Sequence, residues 1–208
     1  MAELPISIRD IITPYDLFGE EVAEVYQSSN NRVYVARGGG YRYSLNLNIK
    51  PMSILSTTES VKFETVRAFL TKNPQMEIPI FNVVPNTVTG TATCQADAIH
   101  GQPGAYTVKI NAGSYGGGPF QTGQYVTFGV KAKIYQIESY SAEILTLVQR
   151  LRHTVTAGDV IGYAGNFGGV DFNGIVGGFV NQDFGNRTAR IEGGILGQIG
   201  PLSLIENI

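Results

Sequence analysis

The side chains with the clearest capacity for chemistry are the two histidines, His100 and His153, and the single cysteine, Cys94. A serine hydrolase needs a serine, a histidine and a carboxylate brought together, and no Gly-x-Ser-x-Gly turn marks such a serine. Metal centres show closely spaced ligands such as His-x-x-x-His or Cys-x-x-Cys, and neither spacing occurs. The sequence therefore predicts a protein that is not an enzyme, with no catalytic residue, metal or cofactor.

The glycine runs and the charge distribution argue against nucleotide and nucleic-acid sites. Residues 38–40 and 116–118 are glycine runs whose amides could cradle a phosphate, but a P-loop also needs a lysine and a serine or threonine opening a helix. The formal net charge is −2 and the lysines and arginines form no cluster along the chain, whereas nucleic-acid binding needs several neighbouring cations. We expect both glycine runs to be loops.

Three tyrosines are candidates for carbohydrate contacts. Tyr106, Tyr115 and Tyr140 lie among the short apolar segments of residues 86–168, and exposed aromatic rings on a small β-barrel can stack on sugar rings or bases. Alternation places other tyrosines of this segment, such as Tyr125, in the core or at the rim. A glycan-stacking face is one hypothesis for the three tyrosines, and a structural role at the rim is the other.

The element with the strongest signal is a strand over residues 41–50. Its apolar positions, Tyr41, Tyr43, Leu45, Leu47 and Ile49, alternate with polar ones, which predicts a half-buried strand. The polar face consists of Arg42, Ser44, Asn46, Asn48 and Lys50. Ahead of it, residues 21–27 and 32–36 predict a hairpin with its turn at residues 28–31.

One helix follows this strand. Ser56 and Glu59 have the spacing of a capping box, and Val66, Phe69 and Leu70 form one apolar face. The helix should end at residues 73–74, because the residue before a proline is disfavoured in helical geometry. Residues 78–84 then predict a strand, which Pro79 places at a sheet edge.

The remaining sequence predicts a mainly β protein with an inserted domain. Hydrophobic residues make up 43% and charged residues 15%, with 26 glycines, a composition that disfavours both disorder and long helices. Short strands at 87–93, 106–111, 125–128, 133–138 and 144–150 predict a small barrel or sandwich over residues 86–168. Strands at 172–180, 187–192 and 202–205 return to a first domain made of residues 1–85 plus 169–208.

Three segments carry a resemblance to a known family. They are the helix at 58–72 with its strand at 76–84, the barrel segments at 121–128 (QTGQYVTF), 133–137 and 144–147, and the return at 171–175 leading to 202–206. In the order of its predicted elements and in these short sequence segments, the chain resembles the distal tail proteins of long-tailed siphophages. The resemblance implies a β-sandwich or tail-tube-like domain that carries an inserted oligosaccharide/oligonucleotide-binding (OB)-like β-barrel.

This resemblance also implies a function. Such proteins form a hexameric ring in the virion, where the tail tube meets the host-recognition tip, and they are made in the host cytoplasm. The implied partners are further copies of the chain, the tail tube protein and the hub or fibre proteins of the tip. DNA would pass through the lumen without specific contacts, and the barrel would decorate the outside and bind either a host glycan or other tip proteins. No apolar stretch approaches the 18 or so residues of a membrane span, so we expect no membrane insertion.

The polar face of the 41–50 strand has a place in this scheme. It would line the ring lumen or meet a neighbouring subunit, with Arg42 and Lys50 pairing with acidic residues there; a solvated sheet face is the alternative. Two other functions stay open, namely a monomeric carbohydrate-binding module and a tail-tube or terminator subunit that polymerises differently.

Overall fold

The chain folds into a mainly β structure organised around two apolar cores. The computed structural model describes residues 1–11, 16–21, 24–27, 33–36, 41–95, 99–129, 131–182 and 189–207. One core joins the N-terminal and C-terminal parts of the chain and takes in Ile134, and the other draws its buried residues from 88–163 alone. The predicted boundaries at 85/86 and 168/169 run close to this division. Separate folding of the two parts stays a prediction.

The secondary structure elements follow one another closely along the chain. The first part contains β1 (Ala2–Glu3), β2 (Asp16–Glu21), β3 (Glu24–Gln27), β4 (Val33–Ala36), β5 (Tyr41–Leu47), β6 (Met52–Ser53), α1 (Thr57–Lys72) and β7 (Gln75–Phe81). The middle part contains β8 (Val88–Gly90), β9 (Thr107–Lys109), β10 (Tyr115–Gly117), β11 (Tyr125–Phe128), β12 (Lys131–Ser141), β13 (Ile144–Leu147) and β14 (Ile161–Gly162). The last part contains β15 (Gly165–Phe167), β16 (Val170–Phe172), β17 (Gly174–Asn181), β18 (Ala189–Glu192), β19 (Leu196–Ile199) and β20 (Leu202–Glu206). Single 3-10 turns lie at Ile8–Asp10 and Ala112–Ser114.

A six-stranded sheet forms the body of the molecule, in the order β1-β7-β17-β20-β5-β2. It is antiparallel except for the β1–β7 pair. The predicted alternation of residues 41–50 is confirmed, because Tyr43, Leu45 and Leu47 are buried on one face of β5. The strand ends at Leu47, earlier than predicted, and Ile49 continues the pattern through a single bridge to Ile11.

The prediction that Pro79 marks an edge strand is wrong. β7 is the second strand of the sheet and pairs with β17 along its whole length, but with β1 only at Met76 and Glu77. The Glu77 carbonyl accepts a hydrogen bond from the Leu4 amide at 3.4 Å, and alternate residues of a strand face the same neighbour. Pro79 therefore faces the side where β1 has ended, and its missing N–H leaves no ladder bond unmade.

Helix α1 begins as predicted, with one change at its cap. The Ser56 side chain accepts from the Glu59 amide at 3.5 Å. The Glu59 carboxylate accepts from the amide of Ser53 at 2.5 Å rather than from that of Ser56, so half of the capping box is replaced by a bond to β6. This bond ties the start of the helix to the strand that precedes it.

The buried face of α1 packs against a three-stranded sheet, β18-β19-β6. Phe63, Val66 and Leu70 are buried, and the predicted Phe69 is half-buried against the same core. A Cβ atom on Gly197 of β19 would lie 2.5 Å from Cδ2 of the Phe63 ring. Only glycine allows the helix and the sheet to approach this closely.

The two predicted strands ahead of β5 pair as a hairpin. β3 and β4 form an antiparallel two-stranded sheet of their own. The segment predicted as one strand over 21–27 is divided between the end of β2 and β3. The predicted turn at 28–31 and the glycine run at 38–40 lie outside the described residues.

The middle part forms a sheet that closes on itself. Its five strands follow the order β14-β11-β12-β13-β9. The segment 92–95 joins the two outer strands, because Ile161 donates to the Ala92 carbonyl (2.8 Å) and Gln95 donates to the Lys109 carbonyl (2.9 Å). The predicted strands are present, with β8, β9 and β13 shorter and β12 longer than expected. The OB-like topology of this barrel stays a prediction.

The contact between α1 and β19 can be tested by adding one methyl group. Gly197→Ala should lower the free energy of unfolding by about 1–3 kcal/mol, because the new Cβ overlaps the buried Phe63 ring and either the ring or the strand must shift. Gly113→Ala is the matched control, since its Cβ would make only an ordinary 3.7 Å contact with Asn111 Oδ1. Urea unfolding of both variants measures the difference, and equal stabilities would contradict the close packing.

Candidate functional site

The predicted polar face of β5 exists as one surface. Asn46 and Lys50 are exposed, while Arg42, Ser44 and Asn48 are half-buried. The five residues point away from the apolar core, on the opposite side of the sheet from Tyr43, Leu45 and Leu47. The structure therefore brings the predicted residues together, and their role in a lumen or an interface stays a prediction.

Strand β2 forms one end of the six-stranded sheet. It pairs with β5 over Asp16 to Glu21, and its other edge has no partner among the residues that the structure describes. The β3–β4 hairpin follows directly in the chain. An edge strand exposes a row of unpaired N–H and C=O groups, which is a template for pairing with a strand of another chain.

Tyr106 is the most open of the three predicted glycan-stacking tyrosines, with 44% of its surface exposed. Its hydroxyl accepts from Arg150 Nε at 3.1 Å, and the guanidinium carbon of Arg150 lies 5.3 Å from the ring centroid. The arginine therefore covers one face of the ring. Stacking of a sugar would have to use the other face.

Tyr115 and Tyr140 have a different environment from Tyr106. Their hydroxyls form a hydrogen bond of 2.6 Å, and both rings pack edge-on against Phe120, which is buried. Burial, followed by the hydrogen bond to Tyr140, raises the pKa of Tyr115 to about 12. The two rings thus belong to the margin of the barrel core rather than to an open platform, and the contacts described do not unite them with Tyr106.

A buried carboxylate joins the barrel to the six-stranded sheet. Glu206, at the end of β20, is 2% exposed and lies on the apolar face of the sheet, between Tyr43 of β5 and Phe179 of β17 in the strand register. Its Oε2 accepts from the Tyr43 amide at 3.3 Å, and its Oε1 accepts from the amide of Ile134 in β12 at 3.0 Å. One side chain therefore bonds to the main chain of both parts.

Two cations accompany this carboxylate. Arg152 Nη1 lies 3.5 Å from Glu206 Oε2, and Lys133 Nζ donates to the Asn207 carbonyl at 2.6 Å. Burial raises the pKa of Glu206 above its ordinary 4.5, although the Ile134 and Tyr43 amides and both cations act in the opposite direction. Burial likewise lowers the pKa of Lys133. Desolvation thus outweighs the mutual attraction on each side.

Neutral side chains complete this junction. Gln149 donates from Nε2 to the Tyr43 hydroxyl at 2.8 Å and to the Ile134 carbonyl at 3.2 Å, and its Oε1 accepts from the Gln136 amide at 3.2 Å. We refer to Tyr43, Lys133, Gln149, Arg152 and Glu206 as the polar junction. A Cβ on Gly177 of β17 would lie 2.6 Å from Ile134 Cδ1, so glycine allows β12 to approach the sheet here.

The chain crosses between the two parts at a pair of asparagines. Asn173 donates from Nδ2 to the carbonyls of Asn82 (2.9 Å) and Val84 (3.2 Å), and its Oδ1 accepts from the Asn86 amide at 3.2 Å. Asn82 Oδ1 accepts from the Tyr125 amide of β11 at 2.7 Å. These bonds hold the outgoing and returning segments together near the predicted domain boundaries.

Sequence reasoning missed the polar junction. The last strand was predicted over 202–205, one residue short of Glu206, although Leu202, Leu204 and Glu206 alternate on one face. That alternation was the available signal for a buried carboxylate. Lys133 and Arg152 lie far from Glu206 in sequence, and no spacing rule connects them.

The residues first considered for catalysis lie apart. His100 Nδ1 is 2.7 Å from Thr107 Oγ1, and His153 Nδ1 is 3.3 Å from the Tyr135 hydroxyl, which anchors the two rings beside different strands. Burial, followed by the charge of Asp159, raises the pKa of the Cys94 thiol to about 12, so this thiol stays protonated. Within the described parts of the chain, no three histidine, cysteine or acidic side chains are grouped as metal ligands. In the same residues no helix has the length and apolarity to span a membrane.

Comparison with known proteins does not identify a family. No protein-family model matches the chain, and no curated protein matches it.

Removal of the buried carboxylate tests the polar junction. Glu206→Ala leaves the Tyr43 and Ile134 amides and Arg152 without their shared acceptor, which should lower the free energy of unfolding by about 3–5 kcal/mol. Glu192→Ala is the control, because Glu192 pairs with Arg190 on an exposed surface and should cost at most about 1 kcal/mol. Urea unfolding measures both changes, and similar losses would rule out a special role for Glu206.

The raised pKa of Glu206 predicts the direction of a pH effect. Between pH 4.5 and the raised pKa, the folded chain binds more protons at this carboxyl than the unfolded chain does. This contribution to stability is therefore fully present at low pH and is lost as the pH rises through the folded pKa. The stability of the native protein relative to Glu206→Gln should increase as the pH falls through this window. Urea midpoints of both proteins across the window measure it, and a constant difference would contradict the prediction.

Proposed function

We propose that this protein is a non-enzymatic structural subunit of a phage virion, which assembles into a hexameric ring at the distal end of a long tail. The observation that carries the proposal is the outer edge of β2, which has no strand partner among the described residues and which we call its free edge; the β3–β4 hairpin follows it in the chain. The ring would join the tail tube to the host-recognition tip. Its partners would be further copies of the chain, the tail tube protein and the tip proteins.

The free edge supports assembly through strand pairing. Of the six residues of β2, alternate ones present their N–H and C=O groups at this edge, so three residues offer a row of backbone groups that an added strand can satisfy without any special side chain. A head-to-tail contact of this kind closes into a ring when the rotation between neighbours divides a full turn, and otherwise gives a helical tube. The same surface therefore also fits the tail-tube alternative, which only the geometry of assembly distinguishes.

The two-part construction supports a role as an adaptor. The body supplies the sheet and its edge, while the barrel has a core of its own and is fixed to the body through the polar junction and the paired asparagines. A barrel attached in this way can decorate the outside of a ring without taking part in its closure. The polar face of β5, with Asn46 and Lys50 exposed, would then line the lumen through which DNA passes.

The oligomeric state of the purified chain is the direct test. Light scattering combined with negative-stain images should find closed rings of about six subunits, the number that the resemblance to distal tail proteins implies. Helical tubes would support a tube subunit instead. A monomer at all concentrations would favour the carbohydrate-binding module and contradict self-assembly.

A pair of proline substitutions tests the edge of β2 itself. The backbone amides of successive residues in a strand point to opposite sides. Phe18→Pro and Gly19→Pro therefore remove amides on opposite sides of β2. One variant loses an amide that faces β5, and the other loses an amide that faces the free edge. The variant that loses the outward amide should keep its melting temperature within a few degrees and lose the ring. The other should be clearly destabilised. A ring that persists in the stable variant would exclude pairing through β2.

A further inference from the structure

The chain crossing, formed by Asn82, Val84, Asn86 and Asn173, contains a chemically reactive sequence. Asn173 and Gly174 are the one asparagine–glycine pair of the chain. In such a pair the backbone nitrogen of the glycine can attack the side-chain carbonyl carbon of the asparagine, because glycine has no Cβ to hinder the approach. Asn173 is exposed, so water has access to it. The sequence and the surface position together make Asn173 a candidate for deamidation.

The fold requires glycine at position 174. A Cβ at this position would overlap the Ile80 carbonyl oxygen of β7 and would lie 2.7 Å from Cε2 of Phe172. The Ile80 oxygen belongs to the backbone of a paired strand, so it cannot move aside as the end of a flexible side chain could. The close approach of β17 to β7 therefore fixes the residue that leaves the Asn173 side chain open to attack.

The backbone nitrogen of Gly174 takes no part in the ladder between β7 and β17. The Asn82 amide donates to the Asn173 carbonyl at 2.9 Å, and Gly174 lies opposite Phe81 in the register. Hydrogen-bonded and non-hydrogen-bonded positions alternate in an antiparallel pair. Gly174 therefore occupies a non-hydrogen-bonded position, and its amide points away from β7. The attacking atom is not held by this strand pairing.

The side chain of Asn173, in contrast, is held by three hydrogen bonds. Its Nδ2 donates to the carbonyls of Asn82 (2.9 Å) and Val84 (3.2 Å), and its Oδ1 accepts from the Asn86 amide at 3.2 Å. The side chain must turn towards Gly174 before its carbonyl carbon can be attacked, so these bonds must break first. Single neutral hydrogen bonds contribute little, but here three act on one side chain. The closed crossing therefore suppresses the reaction.

We infer that Asn173 is a site of deamidation that is controlled by opening of the chain crossing, and that the product loosens the attachment of the barrel. The Gly174 nitrogen forms a bond to Asn173 Cγ and loses its proton to solvent, while the Cγ–Nδ2 bond breaks and ammonia leaves. Water then opens the resulting succinimide ring, which gives aspartate or isoaspartate. The reaction consumes only water and does not depend on ring assembly.

The product cannot restore the bonds of the crossing. An ionised carboxylate has no hydrogen to donate, so at position 173 it would place negative charge against the carbonyl oxygens of Asn82 and Val84. Isoaspartate also lengthens the main chain immediately before β17. Deamidation thus weakens, in one irreversible step, the attachment that the asparagines make between the body and the barrel.

Peptide mapping by mass spectrometry tests the reactive site and its control. The full chain is incubated at mildly alkaline pH, with and without guanidinium chloride. In guanidinium chloride Asn173 should convert faster than Asn111, the internal control, which is followed by alanine. In buffer Asn173 should convert at least about tenfold more slowly than in guanidinium chloride, as expected when three neutral hydrogen bonds must break. Equal rates for the two asparagines in denaturant, or for Asn173 in the two solutions, would overturn the inference.

A pair of substitutions separates the crossing from the general protection that folding gives. Asn86→Pro removes the amide that donates to Asn173 Oδ1, and Asn86→Ala keeps it. Conversion of Asn173 in buffer should therefore be faster in the proline variant than in the alanine variant. Thermal unfolding checks that both variants are folded, and equal rates in two folded variants would contradict control by the crossing.

Asn173→Asp reproduces one product and tests its effect. Hydrogen exchange at the Asn86 and Tyr125 amides should become at least about tenfold faster than in the native chain. Asn111→Asp is the matched control, because its carboxylate keeps the acceptor for the Gly113 amide, which lies 3.3 Å from Asn111 Oδ1. Unchanged exchange at the crossing in Asn173→Asp, or an equal increase in both aspartate variants, would overturn the loosening of the barrel.

Discussion

A single carboxylate on an apolar sheet face is the constraint on which the arrangement of this molecule depends. Glu206 continues the buried alternation of Leu202 and Leu204, so an ionisable side chain is buried beside the apolar core. Such a group is tolerated only when it is bonded. The amides that bond it come from β5 of the body and β12 of the barrel, so satisfying this one group positions the two parts against each other.

The junction couples stability to the relative position of the two cores. An apolar contact between body and barrel could slide, because burial is non-directional, whereas two amides, a guanidinium and Gln149 specify one geometry. Gly177 contributes by removing the side chain that would otherwise separate Ile134 from the sheet. The asparagines at the chain crossings act in the same way, through directional bonds to main-chain groups. The barrel is therefore attached at two polar sites rather than by a broad apolar interface alone.

The edge of β2, which has no strand partner among the described residues, is the part of the six-stranded sheet that can pair with another chain. The edge offers backbone groups, which recognise another strand whatever its sequence.

Local patterns in the sequence determined much of the fold. The alternation over 41–50 is confirmed by β5, the cap at Ser56 by the start of α1, and the hairpin strands by β3 and β4. These features depend on neighbours within a few residues, so a short window contains their physical cause. The mainly β class followed from the same windows together with the glycine-rich composition.

Only the tertiary structure decided the features that involve distant residues. The sequence pattern predicted an edge strand at Pro79. The proline is tolerated inside the sheet because β1 ends before it reaches this position. Tyr115 and Tyr140 share a hydrogen bond because both rings pack against the buried Phe120, and alternation within one strand does not encode that contact. Lys133 and Arg152 lie far from Glu206 in the sequence, and folding brings both cations to the end of β20 that carries this carboxylate. Long-range contacts of this kind depend on which surfaces meet, and that is set by the packing of whole sheets.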